Sequence, residues 1–372
     1  FGSSLLAHVI KVVMDGTDVL SKKLIFPAPH PPSYTPRSFT GSGNFLWVPW
    51  DSTSPPEADR KSCTRGIPCV LLRETKSPVM LVYFHANSED IGTALPSVRS
   101  IGSHFKVNVI AVEYPGYGLL SEMSPSEDAL YRTAHTVLRF LLEQANVLAS
   151  NIMLCGTSLG TGPAVYLASL YPVGGLVLLS PFLSIKAAVH SFAGERVAWA
   201  FKELFPNLAL IKYASCPCVL VRGEHDVFCT HEQFQQLFDA CRTYKQSVMG
   251  RGVGHTWLIT AITLDPISDF FQALLDLEVT ESDVIRFPEE VFREARGLGQ
   301  RPPPKGRWKT SIMCCCAEES LPDKGKMDSE YLQLDPQDER DPETVVLADE
   351  LTSACPDTPR PLTQAATFTF QP

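Results

Sequence analysis

Three residues in this sequence have the types and the setting for acyl-transfer chemistry: Ser158, Asp226 and His255. Ser158 stands in Gly156-Thr157-Ser158-Leu159-Gly160, after the apolar run Ile152 to Cys155. It is followed by Ala164-Val165-Tyr166-Leu167-Ala168-Ser169-Leu170, whose apolar residues recur at helical spacing. A strand, a tight turn and a helix in that order hold a serine in a strained conformation at the tip of a sheet. Small residues two before and two after it let the strand and helix approach. The positive end of the helix then lies behind the hydroxyl. Such a serine attacks acyl carbonyls once a base takes its proton and a carboxylate orients the base.

In one known arrangement the partners follow the serine as carboxylate, then histidine. Val219-Leu220-Val221-Arg222 reads as a strand ending in Gly223-Glu224-His225-Asp226, which puts carboxylates at the carboxyl edge of a sheet. Asp226 is the better placed, and Glu224 at the strand end is the alternative. His255, in Gly252-Val253-Gly254-His255, falls in a loop between the last short strand and the last helix. His135, His190, His225 and His231 sit in helical or turn settings that suit surface or packing roles.

The tetrahedral intermediate of acyl transfer needs two N–H donors. Leu159, directly after the nucleophile, supplies one. The other is expected from the loop leaving the strand Val79 to His85, where Phe84-His85-Ala86-Asn87 stands. Asn87 is the first candidate and Ala86 the second, with His85 propping the loop. Cys216-Pro217-Cys218 and Cys314-Cys315-Cys316 lack the paired spacing of zinc sites, so no metal is expected, and no cofactor.

Positioning these residues takes a large scaffold, and the 372 residues, 44% hydrophobic, suffice for one core of about 250 residues plus a less ordered part. A net charge of -9 argues against nucleic acid as the main partner, since phosphate binding needs a basic face. No apolar run reaches the roughly 18 residues of a membrane span. The 11 cysteines are odd in number, and Cys69, Cys155 and Cys218 sit inside apolar strands, which points to a reducing compartment. The chain opens at Phe1, so its natural N-terminus, with any targeting signal, is expected upstream.

Residues 4 to 14 read as a short amphipathic or buried segment. The proline-rich Phe26 to Tyr34 is expected to lie extended across the surface. From about residue 43, buried strands alternate with helices: strands at Asn44 to Pro49, Pro68 to Arg73, Val79 to His85 and Val107 to Tyr114, with a helix from Leu95 to Phe105. Ser124-Pro125-Ser126-Glu127 opens a helix to Gln144, with Ser124 as its cap and Glu127 completing a capping box. Further strands at Gly175 to Ser180, Pro217 to Arg222 and near Ser247 follow the nucleophile turn, with helices from Glu232 to Cys241 and Trp257 to Leu277. This alternation predicts an α/β fold with a mostly parallel sheet covered on both faces.

Residues 181 to 206 form a short helical insertion carrying Phe182, Phe192, Trp199, Phe201 and Phe205, apolar enough to roof a pocket above Ser158. The expected organisation is therefore an N-terminal lead-in over 1–42, a catalytic domain over 43–280 with a cap at about 181–206, and a largely disordered tail over 281–372. Within the tail, Arg296, Arg301, Lys305, Arg307 and Lys309 precede Cys314 to Cys316, and the chain is acidic and proline-containing from Glu318 onward.

Taken together, Tyr83-Phe84-His85-Ala86-Asn87, Glu113-Tyr114-Pro115-Gly116-Tyr117-Gly118, Gly156-Thr157-Ser158-Leu159-Gly160, Leu179-Ser180-Pro181-Phe182, Gly223-Glu224-His225-Asp226 and Gly254-His255 resemble the α/β-hydrolase superfamily. With the proline-rich lead-in and short cap, the chain looks like the α/β-hydrolase domain-containing protein 17 group of protein depalmitoylases. That resemblance implies an α/β-hydrolase fold and a serine thioesterase that removes palmitoyl groups from membrane-associated proteins, with Ser158, Asp226 and His255 as its triad. Two departures stand out. Ala86 replaces the group's glycine after the histidine, and the group's cysteine cluster lies at the N-terminus, whereas here the run is Cys314 to Cys316. Acyl chains on those cysteines plus the nearby Lys and Arg would supply the two signals of a stable anchor, giving a peripheral protein on the cytosolic face of a membrane. The same machinery also suits a lipid ester such as a monoacylglycerol or lysophospholipid. A non-catalytic tethered scaffold is the reading from a different class.

Overall fold

The computed structural model describes residues 25–39, 44–50, 66–74, 77–199, 201–256, 258–277 and 285–292. The segment 4–14, Trp257, the basic stretch and the Cys314 to Cys316 run lie outside these residues. In chain order the elements are β1 (Asn44–Val48), β2 (Ile67–Leu72), β3 (Met80–Phe84), α1 (Ile91–Phe105), β4 (Asn108–Val112), α2 (Glu127–Glu143) and β5 (Ile152–Thr157). They continue with α3 (Thr161–Leu170), β6 (Gly175–Leu179), α4 (Ile185–Ala193), α5 (Glu195–Ala198), α6 (Asn207–Leu210), β7 (Cys218–Gly223), α7 (His231–Ala240), β8 (Lys245–Gly250), α8 (Ala261–Phe270) and α9 (Gln272–Leu275).

The strands form one 8-stranded sheet in the order β1-β2-β4-β3-β5-β6-β7-β8. β2 runs antiparallel to both β1 and β4, and every pairing from β4 through β8 is parallel. Side chains alternate across the sheet. Met80, Val82 and Phe84 of β3 pack with Leu130, Val137 and Leu138 of α2 and Val165 of α3, while Leu81 and Tyr83 pack with Val98 and Ile101 of α1 and Ile267 of α8. Burial on both faces explains the continuous apolar runs in the sequence, and each fully buried Val or Leu contributes about 1.5–3 kcal/mol.

Two helix starts in the first half of the domain differ from expectation, both through side-chain caps. α1 begins at Ile91 rather than Leu95, because Asp90 accepts from the Thr93 amide while the Thr93 hydroxyl receives the Asp90 N–H. α2 is capped by Ser126, not Ser124: the Ser126 hydroxyl accepts from the Ala129 amide at 3.1 Å. Pro125 instead packs where a side chain on Gly116 would stand. Glu127 does not close a box; its carboxylate accepts from the Phe205 amide at 2.8 Å.

At the C-terminal end, the expected helix over 257–277 is two shorter helices, with Thr260 and Thr263 forming the capping box of α8. The domain also extends past the expected boundary at 280. Val291 and Phe292 are buried, Phe287 lies 5.9 Å from Phe140 of α2, and the Arg73 guanidinium sits 5.7 Å and 5.6 Å from the Phe287 and Phe292 rings. The lead-in is extended, yet it is more than a surface strand: Phe26 and Tyr34 are buried, Phe26 edge-on to Phe205 and Tyr34 against Phe39 and Phe45. Among the described residues, Cys69, Cys155, Cys216, Cys218, Cys229 and Cys241 are free and buried, and no helix is long and apolar enough to cross a membrane.

Candidate active site

Ser158 occupies the turn between β5 and α3 with φ 49°, the left-handed region that a residue with a Cβ enters only under strain. The flanking glycines are required by contact. A Cβ on Gly156 would meet the Gly160 carbonyl oxygen at 2.3 Å, and one on Gly160 would meet the Phe84 carbonyl oxygen at 2.1 Å. The turn is tied down from the other side, where the Thr161 hydroxyl donates to the Ser158 carbonyl at 2.7 Å and itself accepts from the buried Asn207 of α6.

Loops at the carboxyl ends of β7 and β8 bring Asp226 and His255 to this turn. Ser158 Oγ lies 2.8 Å from His255 Nε2, and His255 Nδ1 lies 2.9 Å from Asp226 Oδ2. An ionised Asp226 requires the hydrogen on Nδ1, which leaves Nε2 to accept from the Ser158 hydroxyl. The Asp226 side chain is fully withdrawn from solvent, whereas His255 is 22% exposed. Burial pushes the Asp226 carboxyl up, but hydrogen bonding and charge from His255, with the Cys229 amide, hold it below its ordinary value. Asp226 Oδ1 accepts from the Phe228 and Cys229 amides at 2.9 Å each. Glu224, the alternative carboxylate, instead accepts from the exposed Gly252 amide at 2.8 Å.

In the loop after β3, Ala86 gives its N–H to Glu89 Oε2 at 3.2 Å. Leu159 sits in the first turn after the nucleophile, where N–H groups have no acceptor within the helix. Positive φ among the described non-glycine residues is confined to Lys106, Asn146, Ser158, Ser180 and Phe205, so Ala86 carries its methyl without left-handed strain.

Several residues with a hand in this geometry were given no role from the sequence. Glu113, buried at the end of β4, lies 3.0 Å from His85 Nε2 and accepts from the Tyr34 hydroxyl at 2.9 Å. Ser180, φ 48°, donates to the His255 carbonyl at 3.2 Å. Arg222 is buried and donates to the Cys229 carbonyl at 2.8 Å and the Asp226 carbonyl at 3.4 Å, fixing the loop that holds the acid. The Phe228 ring meets the His255 ring at 4.9 Å. Glu113 and Ser180 fall inside recognisable motifs, but their partners are distant in sequence, so spacing alone does not reveal them. His135, by contrast, sits 2.7 Å from the Tyr171 hydroxyl in a packing role. In the insertion Phe182, Val197, Phe201 and Phe205 are buried in the core, while Phe192 is exposed and stacks on Phe228. Among the described residues no group of His, Cys, Asp and Glu is arranged to hold a metal ion.

The strand order, the antiparallel β2 and the nucleophile turn after β5 define the α/β-hydrolase fold. The Pyrococcus furiosus esterase Pf2001 shares it, with TM-scores of 0.52 and 0.51 in two crystal forms at 12% and 11% identity; the first covers 67% of this chain and 97% of the esterase, the second 66% and 96%. In sequence, the chain is similar to alpha/beta hydrolase domain-containing protein aho-3 of Caenorhabditis elegans, 29% identical over 190 residues, 51% of this chain and 56% of the relative. It is likewise similar to alpha/beta hydrolase domain-containing protein 17C of Homo sapiens, 29% identical over 189 residues, 50% of this chain and 56% of the relative. The chain thus spans little more than half the length of these relatives. No protein-family model matches it.

Proposed function

We propose that this protein is a serine hydrolase acting on acyl thioesters, with S-acylated, membrane-associated proteins as substrates. The observation that carries the reading is the unbroken line from Ser158 Oγ through the His255 ring to Asp226, 2.8 Å and 2.9 Å, at the carboxyl edge of the sheet. The resemblance to the depalmitoylase group, drawn from the motifs, supplies the substrate class.

In this reading the Ser158 oxygen attacks the thioester carbonyl as His255 Nε2 takes its proton, and Asp226 steadies the resulting imidazolium. Negative charge on the former carbonyl oxygen is met by the N–H groups of Leu159 and Asn87. Collapse breaks the carbon–sulfur bond, and His255 returns the proton to the departing sulfur, leaving an acyl-serine. A water molecule, deprotonated by His255, attacks that ester and releases the fatty acid and the free serine. No metal or cofactor takes part. The packed domain runs to Phe292 with its cap near 181–206, and Cys314, Cys315 and Cys316, beside the basic stretch, are acylated and hold it on the cytosolic leaflet.

Labelling by a fluorophosphonate probe, wild type beside Ser158→Ala, tests the nucleophile, and turnover of a palmitoyl-thioester peptide against the matched oxygen ester tests the substrate. Labelling lost in the variant with faster thioester cleavage is the expected result. Faster cleavage of the oxygen ester would move the assignment to a lipid carboxylesterase, and no labelling of folded wild type would leave a tethered scaffold. A Cys314, Cys315 and Cys316 triple Ser variant should leave the membrane pellet; if it stays there, the anchor lies elsewhere.

A further inference from the structure

We propose that Phe192 and Phe228 form the platform on which the substrate's acyl chain lies, and that Phe192 sets the preference for long chains. The inference deepens the hydrolase reading above and rests on it.

The two rings make a continuous apolar surface that begins at the base. Phe228 meets His255 at 4.9 Å with the planes tilted 57°, and Phe192 stacks on Phe228 at 5.1 Å and 25°. Phe192 is 56% exposed although it is among the largest apolar side chains of the insertion. Its helix, α4, reads Ile-Lys-Ala-Ala-Val-His-Ser-Phe-Ala and buries none of its residues. Ile185, Ala187 and Ala188 lean partly on the core, and Val189, one turn before Phe192 on the same face, is partly exposed. An apolar face that reaches the catalytic histidine through a ring contact fits an apolar group attached to the reacting carbonyl, and in an acyl thioester that group is the alkyl chain.

Both rings are held in advance of binding. The Phe228 amide is fixed on Asp226 Oδ1, so the conformation that orients the triad acid also places the first ring. Gln233 of α7 donates to the Ala187 carbonyl at 3.1 Å and the Ser191 hydroxyl at 2.8 Å, pinning the helix that carries the second. Preorganisation of this kind lowers the ordering cost of binding. A short acyl group reaches Phe228 alone; a long one continues past it to Phe192. Each methylene fully removed from water favours binding about fourfold, so contact with one face of Phe192 over several methylenes is expected to be worth about tenfold.

The test uses the full chain and two readouts. The first is kcat/KM for acetyl, hexanoyl and decanoyl p-nitrophenyl esters below their aggregation concentrations, for wild type and Phe192→Ala. The loss in the variant should be about tenfold for decanoyl, carried by KM, and shrink as the chain shortens, with Phe192→Leu restoring most of it. The second is calorimetric binding of decanoate to the Ser158→Ala background with and without Phe192→Ala, expected to weaken about tenfold. A loss equal at all chain lengths, or decanoate binding unchanged by Phe192→Ala, overturns the platform. Release of Phe192→Ala from neutral lipid vesicles with unchanged decanoyl turnover also overturns it, in favour of a lipid surface as the ring's partner. Absence of fluorophosphonate labelling at Ser158 would instead sink the hydrolase reading, and decanoate binding then still decides whether the rings hold an alkyl chain.

Discussion

Glu113 and His85 meet at 3.0 Å with both side chains buried, and the other ring nitrogen of His85 lies 2.8 Å from the Ala86 carbonyl oxygen. A carboxylate and a carbonyl are both acceptors, so with Glu113 ionised both ring nitrogens donate, and the pair favours the imidazolium form of His85. Glu113 is saturated in turn by the Tyr34 hydroxyl and the Ile91 and Tyr114 amides. The pair locks the end of β3, and with it the loop that carries Asn87.

That charge gives stability a direction in pH. Burial alone disfavours the charged ring, but hydrogen bonding and charge from Glu113 outweigh it and raise His85 above its ordinary 6.5. A raised folded value means the contribution is complete below 6.5 and is lost as pH rises through the higher folded value. Melting temperature is therefore expected to decline in wild type as pH rises from 6.5 through the folded value, and His85→Gln, less stable throughout, should show no such decline. An unaltered slope in the variant would remove His85 as its source.

Asp226→Asn is expected to keep the fold while kcat falls on the order of 10³- to 10⁴-fold, because an amide no longer holds the tautomer that leaves Nε2 free to accept. Its pH signature is the reverse of the previous one. The carboxyl sits below its ordinary 3.8, so its stabilisation is present above 3.8 and disappears as pH drops through the lower folded value. Denaturant titrations at acid pH should show that limb in wild type and not in the variant.

Gly160→Ala should be among the most damaging single-methyl additions in the chain. Its Cβ would sit 2.1 Å from a backbone oxygen of β3, and neither strand nor turn has a side chain that could swing aside. A loss of about 3 kcal/mol or more in urea unfolding is expected. Gly194, with φ 82° and ψ 169° and nothing within 4 Å of where a methyl would stand, has only its backbone conformation, a region essentially confined to glycine, to set against Ala, at roughly 1–3 kcal/mol. Equal losses at the two sites would refute the steric account.

Replacing Arg222 by Met keeps the stem and removes the donors to the Cys229 and Asp226 carbonyls. The acid loop then loses its internal clamp. Activity should fall about tenfold in kcat with little change in KM, since the reacting geometry and not the substrate contact is loosened.

The sheet and the nucleophile turn were legible because they are written locally: buried strands as apolar runs, the elbow as two glycines two residues from Ser158. Asp226 and His255 could be chosen as candidates because each closes a strand or precedes a helix in the expected order. What local reading missed depends on partners far away in sequence. The sequence points to Ser124 as the cap of α2, but the turn through Pro125, whose ring packs on Gly116, puts Ser126 at the N-cap, where it accepts from the Ala129 amide. The sequence ranks Asn87 ahead of Ala86 as a donor but does not show that Glu89 takes the Ala86 amide. Phe228 reads as an ordinary loop aromatic, since its neighbours His255 and Phe192 come from another loop and from the cap. Residues 285–292, short and partly acidic, show no periodicity, yet Phe287 and Phe292 meet edge-on and Arg73 lies against both rings.

The Tyr34 hydroxyl on Glu113 and the Ser33 amide and hydroxyl on Asp90 bear on where a recombinant fragment can be cut. A fragment starting at 43 would include all eight strands and every triad candidate, and by strand count would look complete. It would nonetheless strip a proton donor from the carboxylate beneath the Asn87 loop, uncap α1 from outside, and leave Phe205 without Phe26. Expression boundaries that respect the chemistry therefore start ahead of Phe26 and close after Phe292.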